Sequence, residues 1–246
     1  MYPIHRWQAF AKLTRVEEET LANLGEGEVV RRPGETIRVE GDIVSGVYLL
    51  IRGWVMSSIV LQNGARLIQK VHLPGDMLGT ASMVLPCAAD TLTAITEASV
   101  AFVPFGRLAD VHARFPRLAA LFTFAVQVER LALMDALVAT GRASAKEQLA
   151  RLLVDLHTRL TPLGFVRDDA FDLPLTQEII GDLSGLTAVH VNRKLRELRE
   201  EGLIAREGQK VRILKLVALR DLSPTIPRLH RFEPPWLPRS TDGESV

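Results

Sequence analysis

Residues 173–204 contain two short helical patterns joined at a glycine, and this stretch limits the fold more than any other. Thr176 is a hydroxyl that can cap a first helix, whose apolar side would be formed by Ile179, Ile180 and Leu183. Gly185 follows where that helix must end, because a sharp turn needs a residue that accepts a positive φ. Thr187 can cap a second helix from about Ala188 to Glu201. The stretch therefore predicts a helix-turn-helix.

The second helix has an apolar and a polar side. At 100° per residue, Val191, Leu195 and Leu198 share one side. The opposite side contains Val189, Arg193, Arg196 and Glu200, with His190 and Asn192 on the flanks. Such a helix fits a DNA major groove, while an ordinary amphipathic surface helix is the alternative. The two caps and the glycine turn favour the DNA-reading helix.

A β-hairpin is predicted directly after this helix. Gly202 ends the helix, and two short apolar runs at 203–205 and 211–214 lie on either side of the turn residues 207–210. Two strand patterns around a glycine-containing turn are typical of a hairpin. The segment is therefore predicted to be a winged helix-turn-helix.

The run TQEIIGDLSGLTAVHVNRKLRELREEGLI resembles the DNA-binding end of the Crp/Fnr superfamily, which includes the cyclic-AMP receptor protein and the fumarate–nitrate reduction regulator. Thr187, Val191, Arg193, Leu195 and Leu198 occupy that family's pattern positions, and the resemblance implies that Arg193 reads a guanine. Ala188 and Val189 depart from the family's usual base-reading residues, so we expect methyl contacts to thymine there. The predicted DNA-contact residues are Thr176, Gln177, Thr187, Ala188, Val189, His190, Asn192, Arg193 and Arg196, with Thr176, Gln177 and Thr187 expected at phosphates.

The charge of the chain is nearly balanced, with 30 basic and 29 acidic residues and a formal net charge of +1. Nucleic-acid binding is therefore indicated only locally, by Arg193, Lys194, Arg196 and Arg199, with Glu197 among them. A local cluster suffices because DNA affinity depends on the charges that face the phosphates.

Metal and cofactor sites have little support in the sequence. Cys87 is the only cysteine, which excludes an intramolecular disulfide or an iron–sulfur cluster held by one chain's cysteines. The six histidines form no closely spaced pair, so we expect no metal and no cofactor. His72 and Cys87 are haem ligands only in principle. A packed or surface position is favoured for His72, and a buried apolar role, with a redox-sensitive thiol as the alternative, for Cys87.

The chain is predicted to be a soluble cytoplasmic protein without a membrane segment. Its N-terminus lacks the apolar core of a signal peptide. The most apolar long segment, residues 118–140, includes Gln127, Glu129, Arg130 and Asp135 and is poorly suited to a bilayer.

Residues 29–105 show short apolar runs separated by turn signals, which predict an all-β sandwich or barrel. The expected strands are 36–39, 46–51, 54–61, 67–72 and 91–103, and Asn63-Gly64 predicts a type I′ hairpin turn. The glycine spacing of this segment resembles that of the family's cyclic-nucleotide-binding β-roll, which is a jelly roll. The matching residues are Pro33-Gly34-Glu35, Gly41-Asp42, Tyr48, Leu50, Gly53 and the run 75–79. The predicted fold class is α+β.

The predicted effector pocket comprises Gly79, Thr80, Ala81, Asp90 and Thr91. Nucleotide-binding members of the family place a glutamate directly after the glycine and an arginine about ten residues later, for the ribose and the cyclic phosphate. This chain has Thr80 and Asp90 instead. A carboxylate repels a phosphate, so we expect the pocket to be empty or to hold a ligand other than cyclic AMP or cyclic GMP.

Residues 105–140 return to helical spacing, and Pro116 fits a helix start better than a helix interior. Leu118, Leu121, Ala125, Val128 and Ala132 then form one stripe, with further apolar residues around it. The resemblance implies a long central helix that pairs with its copy in a homodimer; a buried intradomain helix is the alternative.

The predicted domains are a β-roll (1–110), a dimerisation helix (111–141), a winged helix-turn-helix (142–222) and a Pro-rich tail (223–246). The tail is expected to be extended or disordered unless Trp236 docks on the body.

These features together predict a transcription regulator and not an enzyme. The expected partners are double-stranded DNA, a second copy of the chain, RNA polymerase and an unknown small-molecule effector. Two reading helices about one DNA turn apart, ~34 Å, imply a palindromic operator. The alternatives are a regulatory subunit that responds to cyclic nucleotides without binding DNA, and a jelly-roll metalloenzyme, which His72 alone does not support.

Overall fold

The computed structural model describes residues 2–223 and 230–239, which form two compact units. One unit comprises the described residues of Met1–Ile59, Val71–Glu129 and His230–Val246. The other comprises Val60–Lys70 and the described residues of Arg130–Leu229. Within the described ranges, no helix has the length and apolar character that a membrane crossing requires.

The β-roll is built from eight strands in two four-stranded antiparallel sheets. The strands are β1 (Glu26–Arg31), β2 (Thr36–Arg38), β3 (Gly46–Arg52), β4 (Val55–Val60), β5 (Arg66–His72), β6 (Met77–Leu78), β7 (Thr91–Ala94) and β8 (Ala98–Pro104). Their order is β1-β8-β3-β6 in one sheet and β2-β7-β4-β5 in the other. Leu50, Leu78 and Leu92 are fully buried between the sheets, so alternate residues of these strands form the interior.

Two details of the predicted strands are wrong. The expected strand 91–103 is divided, because the chain leaves one sheet after Ala94 and enters the other at Ala98. The N–H groups of Ile95 and Thr96 both point to Trp54 O across this crossing. In the turn between β4 and β5, Gly64 has a positive φ of 81° but Asn63 does not, so the turn is not type I′.

A second core lies on the outer face of the first sheet. Val47, Leu49 and Val103 pack there against helices α1 (His5–Gln8), α2 (Arg15–Ala22) and α3 (Phe105–Arg114). Trp7 is buried at its centre, with its ring edge-on to Phe122 at 4.8 Å between centroids. The predicted domain boundary at residue 110 lies within α3.

The central helix α4 runs from Pro116 to Arg142 and starts at the proline, as the sequence predicted. Leu118 and Leu121 are fully buried in the second core. Burial does not continue along the whole predicted stripe, because Ala132 is exposed. Instead, Leu133 and Leu137 are among the large apolar side chains that α4 leaves exposed.

Residues 230–239, which we call the C-terminal clasp, pack on the first unit. The N–H of Glu233 donates to Phe10 O at 2.9 Å, and its carboxylate accepts from Lys12 N at 3.1 Å. Arg117 Nη2 lies 3.4 Å from the same carboxylate, and Trp236 lies 5.9 Å from Phe124 between ring centroids. An extended or disordered tail is thus the wrong description for 230–239, while 224–229 and 240–246 lie outside the described residues.

The second unit contains α5 (Ala145–Leu160), β9 (Ala170–Asp172), α6 (Gln177–Ser184), α7 (Ala188–Glu200), β10 (Ile204–Glu207), β11 (Lys210–Ile213) and α8 (Leu216–Asp221). The strands form an antiparallel sheet in the order β10-β11-β9. Ser144 and Glu147 cap α5 reciprocally in a capping box, which ends the short link between α4 and α5. Helices α6 and α7 followed by the β10–β11 hairpin confirm the predicted winged helix-turn-helix.

Candidate nucleic-acid interface and sensor pocket

Both helices of the helix-turn-helix begin with a threonine cap. Thr176 Oγ1 accepts from Ile179 N and Thr187 Oγ1 accepts from His190 N, each at 3.2 Å. Each hydroxyl uses a lone pair for its cap, so the hydrogen of the Thr187 hydroxyl can still be donated to a phosphate oxygen. A hydrogen bond from its own backbone N–H lowers the pKa of the Glu178 carboxyl, and the Thr176 hydroxyl, which also hydrogen-bonds this carboxylate, contributes to the lowering. The caps therefore position α6 and α7, and the Thr187 hydroxyl keeps the donor predicted for a DNA contact.

The turn between α6 and α7 depends on two glycines. Gly185 has φ 66° and ψ 30°, the left-handed conformation predicted for it. Gly181 is required for another reason, because a side chain there would start 2.5 Å from Leu186 O. No local sequence pattern reveals this close approach, since only the folded turn brings the two backbones together.

The burial of α7 confirms the predicted faces. Val191 and Leu198 are fully buried, whereas Val189 is 81% exposed. Asn192, Arg193 and Arg196 are also exposed, and Ala188, His190 and Gln177 are partly buried. The predicted DNA-contact residues of α7 thus lie around one accessible side of the helix, together with Thr187, and all but Arg196 lie in its N-terminal half.

The charges on this face are unevenly neutralised. Lys194 Nζ lies 2.8 Å from a carboxylate oxygen of Glu197, and this hydrogen bond lowers the pKa of Glu197. Arg193 and Arg196 form no hydrogen bond or ion pair with any other residue that the structure describes. Their guanidinium groups are therefore available for phosphates or base edges, whereas Lys194 is already paired.

The predicted effector-pocket residues differ in how far they are exposed. Gly79, with φ 77°, precedes a short 3₁₀ helix, Thr80–Val84, in which Thr80 is partly buried and Ala81 is exposed. Asp90 is buried, and Thr91 Oγ1 accepts from Glu40 N at 3.0 Å.

Arg38 also lies at this position, although the sequence did not predict it there. It comes from β2, is 5% exposed, and its Nη2 donates to Asp90 Oδ1 and to Ser82 Oγ, the latter at 3.2 Å. Its Nη1 lies directly against Gly79, where a side chain would overlap it. The signal in the sequence was a charged residue in a strand pattern, and its partner Asp90 is 52 positions away.

A cavity of about 520 Å³ lies beside Arg38. The described residues of its wall are Arg38, Gly41, Asp42, Ile43, Val44, Ser45, Gly46, Tyr48 and Phe102. The Tyr48 and Phe102 rings are 5.2 Å apart, so one wall is aromatic. None of the five predicted pocket residues belongs to this wall.

The histidine and cysteine hypotheses have different outcomes. Cys87 is exposed, so the favoured buried role is wrong. A short antiparallel bridge pairs Cys87 with Ile43, and Cys87 lies in an exposed loop.

His72 is buried, with Nε2 3.1 Å from Ser57 Oγ. Residues 2–223 and 230–239 contain no cluster of three or more His, Cys, Asp or Glu side chains suited to a metal.

Two family sequence profiles match this chain. A Crp-like helix-turn-helix domain profile matches residues 147–222, and a cyclic nucleotide-binding domain profile matches residues 28–115. The two matches cover the winged helix-turn-helix and the β-roll, respectively.

Characterised relatives and solved structures agree with both profiles. The transcriptional activator protein FnrA of Stutzerimonas stutzeri is 28% identical over 192 residues, which is 78% of each chain. The fumarate and nitrate reduction regulatory protein of Escherichia coli K12 is 26% identical over 211 residues, 86% of this chain and 84% of that protein. The structure of FixK2 from Bradyrhizobium japonicum has a TM-score of 0.73 at 27% identity and covers 82% of this chain and 98% of that one.

Proposed function

Because the chain belongs to the Crp/Fnr family of DNA-binding transcriptional regulators, we propose that it acts as a homodimer on a palindromic operator and is controlled through its β-roll by something other than cyclic AMP. The family is one of regulators, so the chain is a transcription regulator and not an enzyme. The contact residues, the dimer, the operator and the control are our proposals.

The observation that carries the DNA-binding proposal is the accessible face of α7. Arg193 and Arg196 are exposed and unpaired among the described residues, while the opposite stripe of the helix is fully buried. Arg193 offers two parallel N–H groups to guanine O6 and N7, which is the commonest specific contact in the major groove. Val189 offers methyl groups to a thymine, with His190 and Asn192 beside it as hydrogen-bonding groups.

Backbone contacts would fix the register of this helix. Thr176, Gln177 and Thr187 lie at the N-termini of α6 and α7, where free N–H groups and the helix dipole favour a phosphate. Ala188 follows the Thr187 cap, and we expect its methyl group to contact a thymine. The proposed phosphate contacts thus flank the proposed base contacts.

A seam on α4 supports the homodimer. Val126, Arg130, Leu133 and Leu137 follow 4-3-4 spacing and fall within about 60° of one another around the helix. Leu133 is 47% exposed and Leu137 75% exposed, so the described residues of one chain leave much of this stripe uncovered. Spacing of this kind is typical of helices that pair along a coiled-coil seam, and a second copy supplies the matching stripe.

The remaining proposed partners and location follow from the function. A regulator on a promoter acts on RNA polymerase, and it works where the chromosome is, in the cytoplasm. A small-molecule effector other than cyclic AMP would act by favouring one of two arrangements of the dimer.

Selection from random DNA duplexes followed by gel shift tests the proposal. We expect an inverted repeat with half-site centres about 10 base pairs apart, and affinity that falls steeply as salt is raised. Recovery of no sequence preference, with or without cyclic nucleotides, would instead favour a regulatory subunit that does not bind DNA.

A further inference from the structure

The buried Arg38–Asp90 pair lies where the family resemblance predicts the contact to a cyclic phosphate. The side chain of Arg38 is 4% exposed and that of Asp90 10% exposed. Ser82 Oγ, itself fully buried, lies 3.2 Å from Arg38 Nη2 and 3.4 Å from Asp90 Oδ1. One cation, one anion and one hydroxyl thus form a closed group with no net charge.

Backbone donors around this group already have acceptors from the chain. Ala89 N donates to Ser82 Oγ at 3.1 Å, and Ala88 N donates to Asp42 O at 2.8 Å. Glu40 N donates to Thr91 Oγ1. Because these three N–H groups are taken, an incoming phosphate could bind them only by breaking existing hydrogen bonds.

The guanidinium group also fills the space beside Gly79. Nη1 lies so close to Gly79 that even a methyl group on that residue would overlap it. Two of its nitrogens, Nε and Nη1, have no acceptor among the described residues. A neutral group can accept from them, but a second anion would face the Asp90 carboxylate across the same guanidinium in a poorly hydrated place.

We propose that Arg38 and Asp90 are a built-in ion pair that occupies the anion position of the β-roll. The domain therefore excludes cyclic nucleotides, and DNA binding does not require a cyclic nucleotide. The statement about DNA binding rests on the proposed function. Asp90 is the residue that excludes the phosphate, because it neutralises the cation that would otherwise attract it. Arg38 would bind an anion if Asp90 did not already occupy its guanidinium group.

Melting temperatures of three full-length proteins test this proposal. The wild type, Asp90→Asn and the double variant Arg38→Met/Asp90→Asn are heated with cyclic AMP, cyclic GMP or inorganic phosphate at constant ionic strength. Asparagine keeps an acceptor oxygen for Arg38 but removes the negative charge, which leaves a buried uncompensated cation. We expect no shift for the wild type or the double variant, and a rise of roughly 3–6 °C for Asp90→Asn at ten times the dissociation constant.

Two outcomes would overturn the proposal. A saturable shift of the wild type with a cyclic nucleotide would show that the pair does not close the site. An Asp90→Asn shift no larger than that of the double variant would show that Arg38 does not face an anion site. Should Asp90→Asn fail to fold, calorimetric titration of the wild type with cyclic AMP and cyclic GMP decides the same question, and heat of binding refutes the proposal.

Gel shifts on the selected operator separate this inference from the proposed function. Wild-type binding of equal strength with and without cyclic nucleotide supports both. Binding only in the presence of nucleotide refutes the ion-pair proposal and leaves the DNA-binding function standing. Absence of specific binding under every condition refutes the DNA-binding function, while the melting experiment still decides on the ion pair.

Discussion

Arg193 is the residue from which we expect the strongest sequence selectivity. Replacing Arg193 with alanine should reduce discrimination at one base pair of each half-site by about 1–3 kcal/mol, or roughly 5- to 150-fold, because a bidentate guanine contact is lost. Competition gel shifts with matched and mismatched operators measure this difference. Arg199→Ala is the matched control, since Arg199 is an exposed arginine in the last turn of the same helix. Equal selectivity in the Arg193 variant and the wild type would refute the assignment.

Gly181 sets how closely α6 approaches the turn. Gly181→Ala should destabilise the protein by about 1–3 kcal/mol, because the new methyl group would start 2.5 Å from Leu186 O, a backbone atom that does not move freely. Gly141→Ala is the control: Gly141 is also helical but has open space around it, so alanine should raise stability by about 0.5–1 kcal/mol. Thermal melts of both variants by circular dichroism give the comparison. Equal melting temperatures would contradict the packing argument.

At the scale of one helix, the exposed seam of α4 is the feature that needs a partner. Leu137→Glu should convert the dimer to monomer at micromolar concentration, because two carboxylates would meet across the two-fold axis in an apolar contact. Val138→Glu is the matched control, since Val138 is also exposed but lies about 100° away around the helix. Analytical ultracentrifugation measures the mass. A monomeric wild type, or loss of the dimer in both variants, would rule out this seam.

The C-terminal clasp should loosen in acid. Burial lowers the pKa of His230, and the nearby charge of Arg6 lowers it further. A histidine whose pKa is lower in the folded protein stabilises the fold while neutral, above its unfolded pKa of about 6.5. That stability is lost as the pH falls from about 7 through the lowered pKa, because the unfolded chain then binds the proton more readily.

Hydrogen exchange at the amide of Glu233, which donates to Phe10 O, reports on the opening of the clasp. After correction for the intrinsic exchange rate, its protection should be lower at pH 5.5 than at pH 7. His230→Gln should remove most of this pH dependence, although His112 also has a pKa lowered by burial and contributes to the stability of the same unit. Protection independent of pH in the wild type would contradict the prediction.

At the scale of the whole molecule, two-fold symmetry links the protein to the spacing of its operator. Inserting five base pairs between the half-sites should reduce affinity toward that of one half-site, because the second half-site moves by about 17 Å and turns to the opposite side of the duplex. Gel shifts compare this duplex with one in which five flanking base pairs are replaced and the spacing is kept. Unchanged affinity would indicate that each subunit binds independently.

Local patterns determined the elements of this protein that depend on neighbours in the sequence. The caps at Thr176 and Thr187, the left-handed turn at Gly185 and the buried stripe of α7 were all predictable, because each depends on residues within one or two helical turns. The hairpin after α7 was predictable for the same reason. These elements, with the resemblance they support, were enough for the fold class and the family.

Only the tertiary structure decided what depends on residues far apart in the chain. Arg38 and Asp90 are 52 positions apart, and Glu233 reaches Lys12 across 221, so no local pattern reveals either contact. The division of the strand predicted at 91–103 likewise followed from its passage between two sheets. Long-range ion pairs and backbone contacts form only after the core has brought their partners together, because each alone is too weak to offset the entropy of closing so long a loop.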